Sequence, residues 1–201
     1  MHDTALITAC LFANTYKKED ALVVDIGGKN VNGSVRPFFE QHGMKFVSLD
    51  IEEDASVDIV MKPGDPLPFS DNSVDIIVST SCFEHDPCFW ITFKEMCRIC
   101  KMDGIIYINA PSNGQYHGHP GDNWRFYKDA AQALAYWASK DVAYPVKVLE
   151  TFHVLPLNDQ WIDFVAIYKR VDEKTEEFLV KDLGQGPLEL MLRKGGVRIQ
   201  K

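Results

Sequence analysis

Leu22-Val23-Val24-Asp25-Ile26-Gly27-Gly28 is an apolar run that ends in a carboxylate and two glycines. It reads as a buried parallel strand opening into a glycine turn. A second run, Lys45-Phe46-Val47-Ser48-Leu49, ends in Asp50, 25 residues after Asp25. A strand, a glycine turn, a helix and a second strand with an acid at its carboxyl end make a nucleoside-binding half-site. The turn lets a ligand approach the backbone, and the second acid accepts hydrogen bonds from both ribose hydroxyls.

Working outward, Asp3 to Tyr16 carries apolar residues at helical spacing, with Asp3 or Thr4 as N-cap. Ser34 to His42 predicts a short helix that tolerates Pro37 only in its first turn. Val57 to Met61 reads as a third strand and Val74 to Ser79 as a fourth. The connections 51–56 and 62–73 are too short or too rich in Pro, Gly and Asp for a helix. A helix follows over about Pro87 to Lys101, then an Asp103-Gly104 turn and a fifth strand, Ile105 to Asn109. Tyr127 to Lys140 is helical, and runs at about 146–154 and 161–169 form a closing antiparallel hairpin. The expectation is an α/β fold: a Rossmann-like, doubly wound sheet of seven strands, mostly parallel, with a C-terminal antiparallel hairpin. It is layered α/β/α, with some crossovers reduced to loops. Residues 1–170 form its one domain. Residues 171–201, charged and then Gly-rich, form a partly ordered extension and not a separate domain.

With 201 residues, 46% of them hydrophobic, the chain can bury a full core. A net charge of −8, with no dense Lys/Arg cluster, points away from nucleic acid and toward small or weakly charged partners. No run approaches a membrane span, and Met1-His2-Asp3-Thr4 lacks the basic start of a signal peptide. The five cysteines lie mostly in apolar contexts, Cys97-x-x-Cys100 on a helical pattern, and read as reduced buried thiols. A cytoplasmic protein is expected, with a homodimer left open.

Two phosphate motifs fail. Gly28-x4-Gly33-Ser34 lacks the lysine of a phosphate loop, and Lys29 replaces the middle glycine of a dinucleotide fingerprint. A nucleoside cofactor without phosphate tolerates both departures.

The chain resembles class I S-adenosylmethionine-dependent methyltransferases of the "methyltransferase type 11" group. The resemblance rests on the first loop, Asp25 to Ser34, on Leu67-Pro68-Phe69-Ser70-Asp71-Asn72-Ser73-Val74-Asp75, and on Glu84-His85. It continues through Lys101-Met102-Asp103-Gly104, Pro111-Ser112-Asn113 and Asp122-Asn123-Trp124-Arg125-Phe126-Tyr127, covering roughly residues 20–140 in order. Lys29 and Val31 depart from the group's glycines. A closing antiparallel hairpin is the ending this group implies.

The resemblance implies S-adenosylmethionine as cofactor, held by Asp25, Gly27, Gly28 and Asn32 in the first loop, by Asp50 and Ile51 after the second strand, and by Ser79, Thr80 and Ser81 after the fourth. Gly64 and Asp65 are candidates for the adenine, although a turn aspartate explains Asp65 equally well. Glu84 and His85 read first as structural props. The loop from Asn113 to Arg125 is the expected acceptor site, with Tyr116, Asp122, Trp124 and Arg125 as substrate contacts. Trp124 and Arg125 could equally hold the loop down, Arg125 bridging to Glu84 or Asp122. A high-pKa acceptor needs a base, so His117 or His119, then His85, are candidates. His117-x-His119 with Asp122 has the spacing of a metal cluster, but such spacing arises easily by chance and no metal is assigned. The expected reaction is O-methylation of a small-molecule or saccharide acceptor. The alternatives are a cofactor-binding protein without turnover, or a methyltransferase acting on a macromolecule.

Overall fold

The computed structural model describes residues 2–140, 144–174 and 183–201. Its strands are β1 (Leu22–Ile26), β2 (Lys45–Asp50), β3 (Ile59–Val60), β4 (Val74–Thr80), β5 (Cys100–Pro111), β6 (Val146–Val154), β7 (Asp163–Arg170) and β8 (Ile199–Gln200). They form one sheet in the order β3-β2-β1-β4-β5-β7-β6-β8. The first five run parallel. β7 inserts antiparallel between β5 and β6, as the closing hairpin requires.

The helices are α1 (Asp3–Thr15), α2 (Arg36–Glu40), α3 (Phe89–Ile99), α4 (Asp129–Lys140) and α5 (Pro187–Lys194). Strand alternation builds two cores. Val24, Ile77, Ile106 and Ile108 face α3 and α4 through Phe93, Met96, Ala131 and Leu134. Val23, Ile76, Val78 and Tyr107 face α1, α2 and α5 through Phe12, Phe39, Leu188 and Leu192. Period-two patterning in strands buried on both faces thus gives the three layers. As the sequence predicts, neither 51–58 nor 61–73 holds a helix.

Several expectations need correction. The sheet has eight strands instead of seven, because Ile199–Gln200 pairs antiparallel with His153 and Val154 of β6. The extension does more than trail: α5 seats Leu188 and Leu192 fully buried. Its expected partial order also concerns residues 175–182, which lie outside the described residues. The Asp103-Gly104 turn is absorbed into β5 as an irregularity, where the register shifts between Val74 and Ile76 and Asp103 takes φ +62°. α1 starts at Asp3 with His2 as its N-cap residue, so neither Asp3 nor Thr4 occupies that place. α2 and α3 are each shorter than their apolar pattern by a few residues at the ends, and α3 passes directly into β5 at Cys100.

Candidate cofactor and acceptor site

The carboxyl ends of β1, β2, β4 and β5 open into a cavity of about 610 Å3. That volume lies in the range of small-molecule sites. The glycine turn at its floor is tight. Gly27 has φ +79°, and a Cβ there would fall 2.4 Å from Cys82 Sγ. The amides of Gly27 and Gly28 both donate to the Leu49 carbonyl, at 2.9 and 3.0 Å, tying the turn to the end of β2.

Asp50 closes β2 beside this turn. Its Oδ2 accepts from the Lys29 amide at 3.0 Å, and its Oδ1 from the Glu52 amide at 3.1 Å. Each carboxylate oxygen has a second lone pair for a ligand hydroxyl. Lys29, the departure from the glycine pattern, turns its ammonium to Glu52. Asp25 is buried and lines the same cavity. Burial, with the nearby Asp50 charge adding to it, pushes its carboxyl up to about 7. A cationic ligand group would relieve that cost.

Gly28, Asn32, Ile51, Gly64, Asp65, Thr80 and Ser81 also line the cavity. Ser79 does not. It is fully buried, and its hydroxyl donates to the Ile26 carbonyl at 3.0 Å, which welds β4 to β1.

The second half of the cavity is built by the loop after β5. The amides of Asn123 and Trp124 donate to the Glu84 carbonyl at 2.6 and 3.2 Å, and Asn123 Nδ2 donates to the His85 carbonyl at 2.8 Å. These bonds fold the loop back over the turn that follows β4. As a result His85, His117 and His119 all line the cavity, together with the buried Glu84. Burial pushes the Glu84 carboxyl up to about 7. His85 Nδ1 lies 2.5 Å from the Gly121 carbonyl, and burial lowers its pKa. The His119 ring makes no hydrogen bond among the described residues, so both of its nitrogens are available.

The other four loop residues stand outside the lining. Tyr116 is 78% exposed. Asp122 accepts a two-pronged contact from Arg125 at 2.5 and 2.7 Å, and this bond outweighs burial to hold its carboxyl well below the usual range. Arg125 therefore bridges to Asp122 and not to Glu84. Trp124 donates from Nε1 to the Asp86 carbonyl at 2.9 Å and meets Phe89 and Trp90 edge-on. These contacts hold the loop down, the second of the two roles open to Trp124 and Arg125.

Trp161 and His2 are among the lining residues that escaped the sequence reading. Trp161, from the β6–β7 turn, lies edge-on to the His117 ring at 4.8 Å. Antiparallel pairing of β7 with β5 sets Asp163 opposite Pro111, which brings that turn to the cavity rim. His2 contacts Asp163 Oδ1 at 2.6 Å and stacks on Trp161. Burial alone would lower its pKa, but the bond to Asp163 together with the Asp163 and Asp159 charges outweighs this and raises it. An aromatic in a turn beside the last central strand was the available signal for Trp161. His2 had none.

A family model described as a methyltransferase domain matches residues 9–108. The chain carries a methyltransferase domain on the fold of the class I S-adenosylmethionine-dependent methyltransferases. The uncharacterized methyltransferase Rv0224c of Mycobacterium tuberculosis is 25% identical over 222 aligned residues, spanning 90% of this chain and 82% of that protein. A methyltransferase of Mycobacterium sp. strain JLS is 29% identical over 58% of this chain and 50% of its own length. In fold, the chain is similar to the Burkholderia thailandensis 1,6-didemethyltoxoflavin-N1-methyltransferase, solved with its substrate and S-adenosylhomocysteine. The TM-score is 0.67 at 15% identity, over 84% of this chain and 79% of that one. A S-adenosylmethionine-dependent methyltransferase of Methanosarcina mazei gives a TM-score of 0.60 at 15% identity, covering 81% and 98%. The cofactor of this family fits the residues present. Asp50 offers acceptor lone pairs at the end of β2, Asp25 is a buried acid suited to an ammonium, and the cavity has the volume. No helix among the described residues is long and apolar enough to cross a membrane.

Proposed function

We propose that the protein methylates a hydroxyl or amine of a small, uncharged or cationic acceptor, with a saccharide hydroxyl as the first candidate. The observation that carries this reading is the lining of the cavity: seven carboxylates against two lysines, with His85, His117 and His119 at one end. Such a field repels phosphate and nucleic acid and favours neutral or cationic groups. The cofactor supplies an activated methyl on a sulfonium, so the chain need only align the acceptor, exclude water and remove a proton.

In this reading Asp25, Gly27, Gly28, Asn32, Asp50 and Ile51 hold the methionine and ribose end, and Gly64 and Asp65 meet the adenine. Thr80 and Ser81 border the methyl position. His119 is the base, because its ring nitrogens are uncommitted while His85 Nδ1 is occupied by the Gly121 carbonyl. Trp161 offers an aromatic wall for a sugar or ring. Tyr116, at the exposed tip of the loop, would meet the acceptor as it enters.

Incubation with S-adenosylmethionine and a panel of sugars, nucleotide-free glycosides, phenols and amines, read by mass spectrometry, tests the proposal. A +14 Da product from a neutral or cationic acceptor supports it. Turnover only on phosphorylated or nucleic-acid acceptors contradicts it, and binding without turnover on any acceptor would favour a cofactor-binding role.

A further inference from the structure

We propose that Glu84, His85 and His117 bind a divalent transition-metal ion beside the methyl position. The proposal deepens the acceptor reading of the same cavity, although the cluster stands on its own geometry. One ligand atom from each of the three lies within 4.8 Å of the others. Glu84 Oε1 is 3.6 Å from His85 Nε2 and 4.0 Å from His117 Nε2. These gaps are too long for hydrogen bonds. They approach the edge of a coordination shell, about 3.3–3.6 Å between ligands held at ~2.0–2.2 Å from one metal.

Glu84 is 1% exposed, and its Oε2 has no hydrogen-bond partner. A buried carboxylate with an unsatisfied oxygen is costly and calls for a missing counter-charge.

Both imidazoles are set up as ligands from behind. His85 Nδ1 faces the Gly121 carbonyl at 2.5 Å, an acceptor only, so Nδ1 carries the proton and Nε2 presents its lone pair to Glu84. His117 Nδ1 faces Asp122 Oδ2 and the Gln115 carbonyl, each at 3.3 Å. Arg125 Nη2, at 3.5 Å from the same nitrogen, directs its two N–H groups at shorter range to Asp122 Oδ2 and the Gln115 carbonyl, at 2.7 and 3.1 Å. Metal-binding histidines typically donate their second N–H to a carboxylate or backbone carbonyl in this way. Asp122 and Gly121 therefore act as positioning groups.

Two nitrogens and one carboxylate suit Zn2+, Fe2+, Mn2+ or Co2+ over Mg2+ or Ca2+. All three side chains line the cavity, so a metal held by three protein ligands keeps a position for an acceptor oxygen. This cluster differs from the His117, His119 and Asp122 spacing in the sequence. Of those three, only His117 is a ligand, while Asp122 stands behind it and His119 stays free.

The test uses tag-free, full-length protein stripped with EDTA and titrated calorimetrically with Zn2+. One Zn2+ per chain is expected at micromolar affinity or tighter. Glu84→Gln and His117→Ala should each weaken it by about 100-fold or more, and Asp122→Asn by about 10–100-fold. His119→Ala should bind Zn2+ as the wild type does. If the ligand variants fail to fold, X-ray absorption at the zinc edge of the wild type decides, with two imidazoles in the first shell expected. No uptake of Zn2+, Co2+ or Mn2+ by the wild type, undiminished binding by folded Glu84→Gln, or a zinc shell without imidazole each overturns the site. Parallel titration with S-adenosylhomocysteine in EDTA separates the two claims. Retained cofactor binding without metal uptake faults the metal alone, while loss of cofactor binding faults the methyl-transfer reading.

Discussion

The backbone amide of Lys29 donates to Asp50 Oδ2 at 3.0 Å, joining the first loop to the end of β2. The contact explains how the site accepts a lysine where the family pattern has glycine. The lysine supplies only its amide to the acid, and its side chain leaves the floor of the cavity for Glu52. The close approach that needs glycine is made by Gly27 and Gly28 instead, against Cys82 and Ser48.

Asp25 makes cofactor affinity depend on pH. Its carboxyl, raised to about 7 by burial and then by Asp50, is neutral below that pH and ionised above it. A cationic ammonium prefers the ionised form, so affinity should rise as pH climbs toward about 7 and level off above it, and binding at pH 7 should release up to about half a proton. The same raised carboxyl means that folding of the free protein loses stability as pH climbs from about 4 to about 7 and levels off above it, because burial disfavours the charge. Calorimetry in buffers of different ionisation enthalpy measures the release. Wild type and Asp25→Asn with the same flat profile would remove Asp25 from the ammonium site.

His119→Ala should keep the melting temperature and cofactor affinity while lowering turnover by ~10²–10⁴, the usual worth of a positioned base. A loop-pinning role predicts the reverse: a lower melting temperature with activity per folded molecule unchanged. Once an acceptor is found, thermal melts and steady-state rates on the same preparations separate the two.

Glu150 anchors the C-terminal extension. Buried in β6, it accepts from the Tyr16 hydroxyl at 2.6 Å and from the Leu188 and Glu189 amides at 3.2 and 2.9 Å, at the start of α5. Removing it leaves buried donors at a helix N-terminus. Glu150→Ala should cost about 2 kcal/mol or more in urea unfolding and raise amide exchange in α5 selectively. Unchanged exchange over 187–194 would show that Leu188 and Leu192 alone dock the helix.

The parallel half of the fold was legible because its strands are short apolar runs with turn residues between most of them. The hairpin was legible from two β-rich runs around a Pro/Asn/Asp turn. β8 was not, since a strand of two residues has no period to read. α5 was hidden inside a charged, Gly-rich tail, although Leu188 and Leu192 stand one turn apart. In the site, Asp25 and Asp50 follow from strand order alone. The meeting of Glu84 with His117, 33 positions apart, depends on the Asn123 and Trp124 amides reaching the Glu84 carbonyl. Trp161 reaches the cavity only through the antiparallel register of β7. Such contacts are set by tertiary geometry, and local pattern carries no trace of them.

The most direct test of the account is calorimetric titration of wild type and Asp50→Ala with S-adenosylhomocysteine. Asp50 is placed on the ribose because it ends β2 at the rim of the cavity with lone pairs to spare. Lost hydrogen bonds to a charged group predict weakening of ~1.5–3 kcal/mol, roughly 10- to 150-fold, with the variant still folded. Equal affinity of the two proteins would contradict the assignment, and no binding by the wild type would contradict the cofactor site itself.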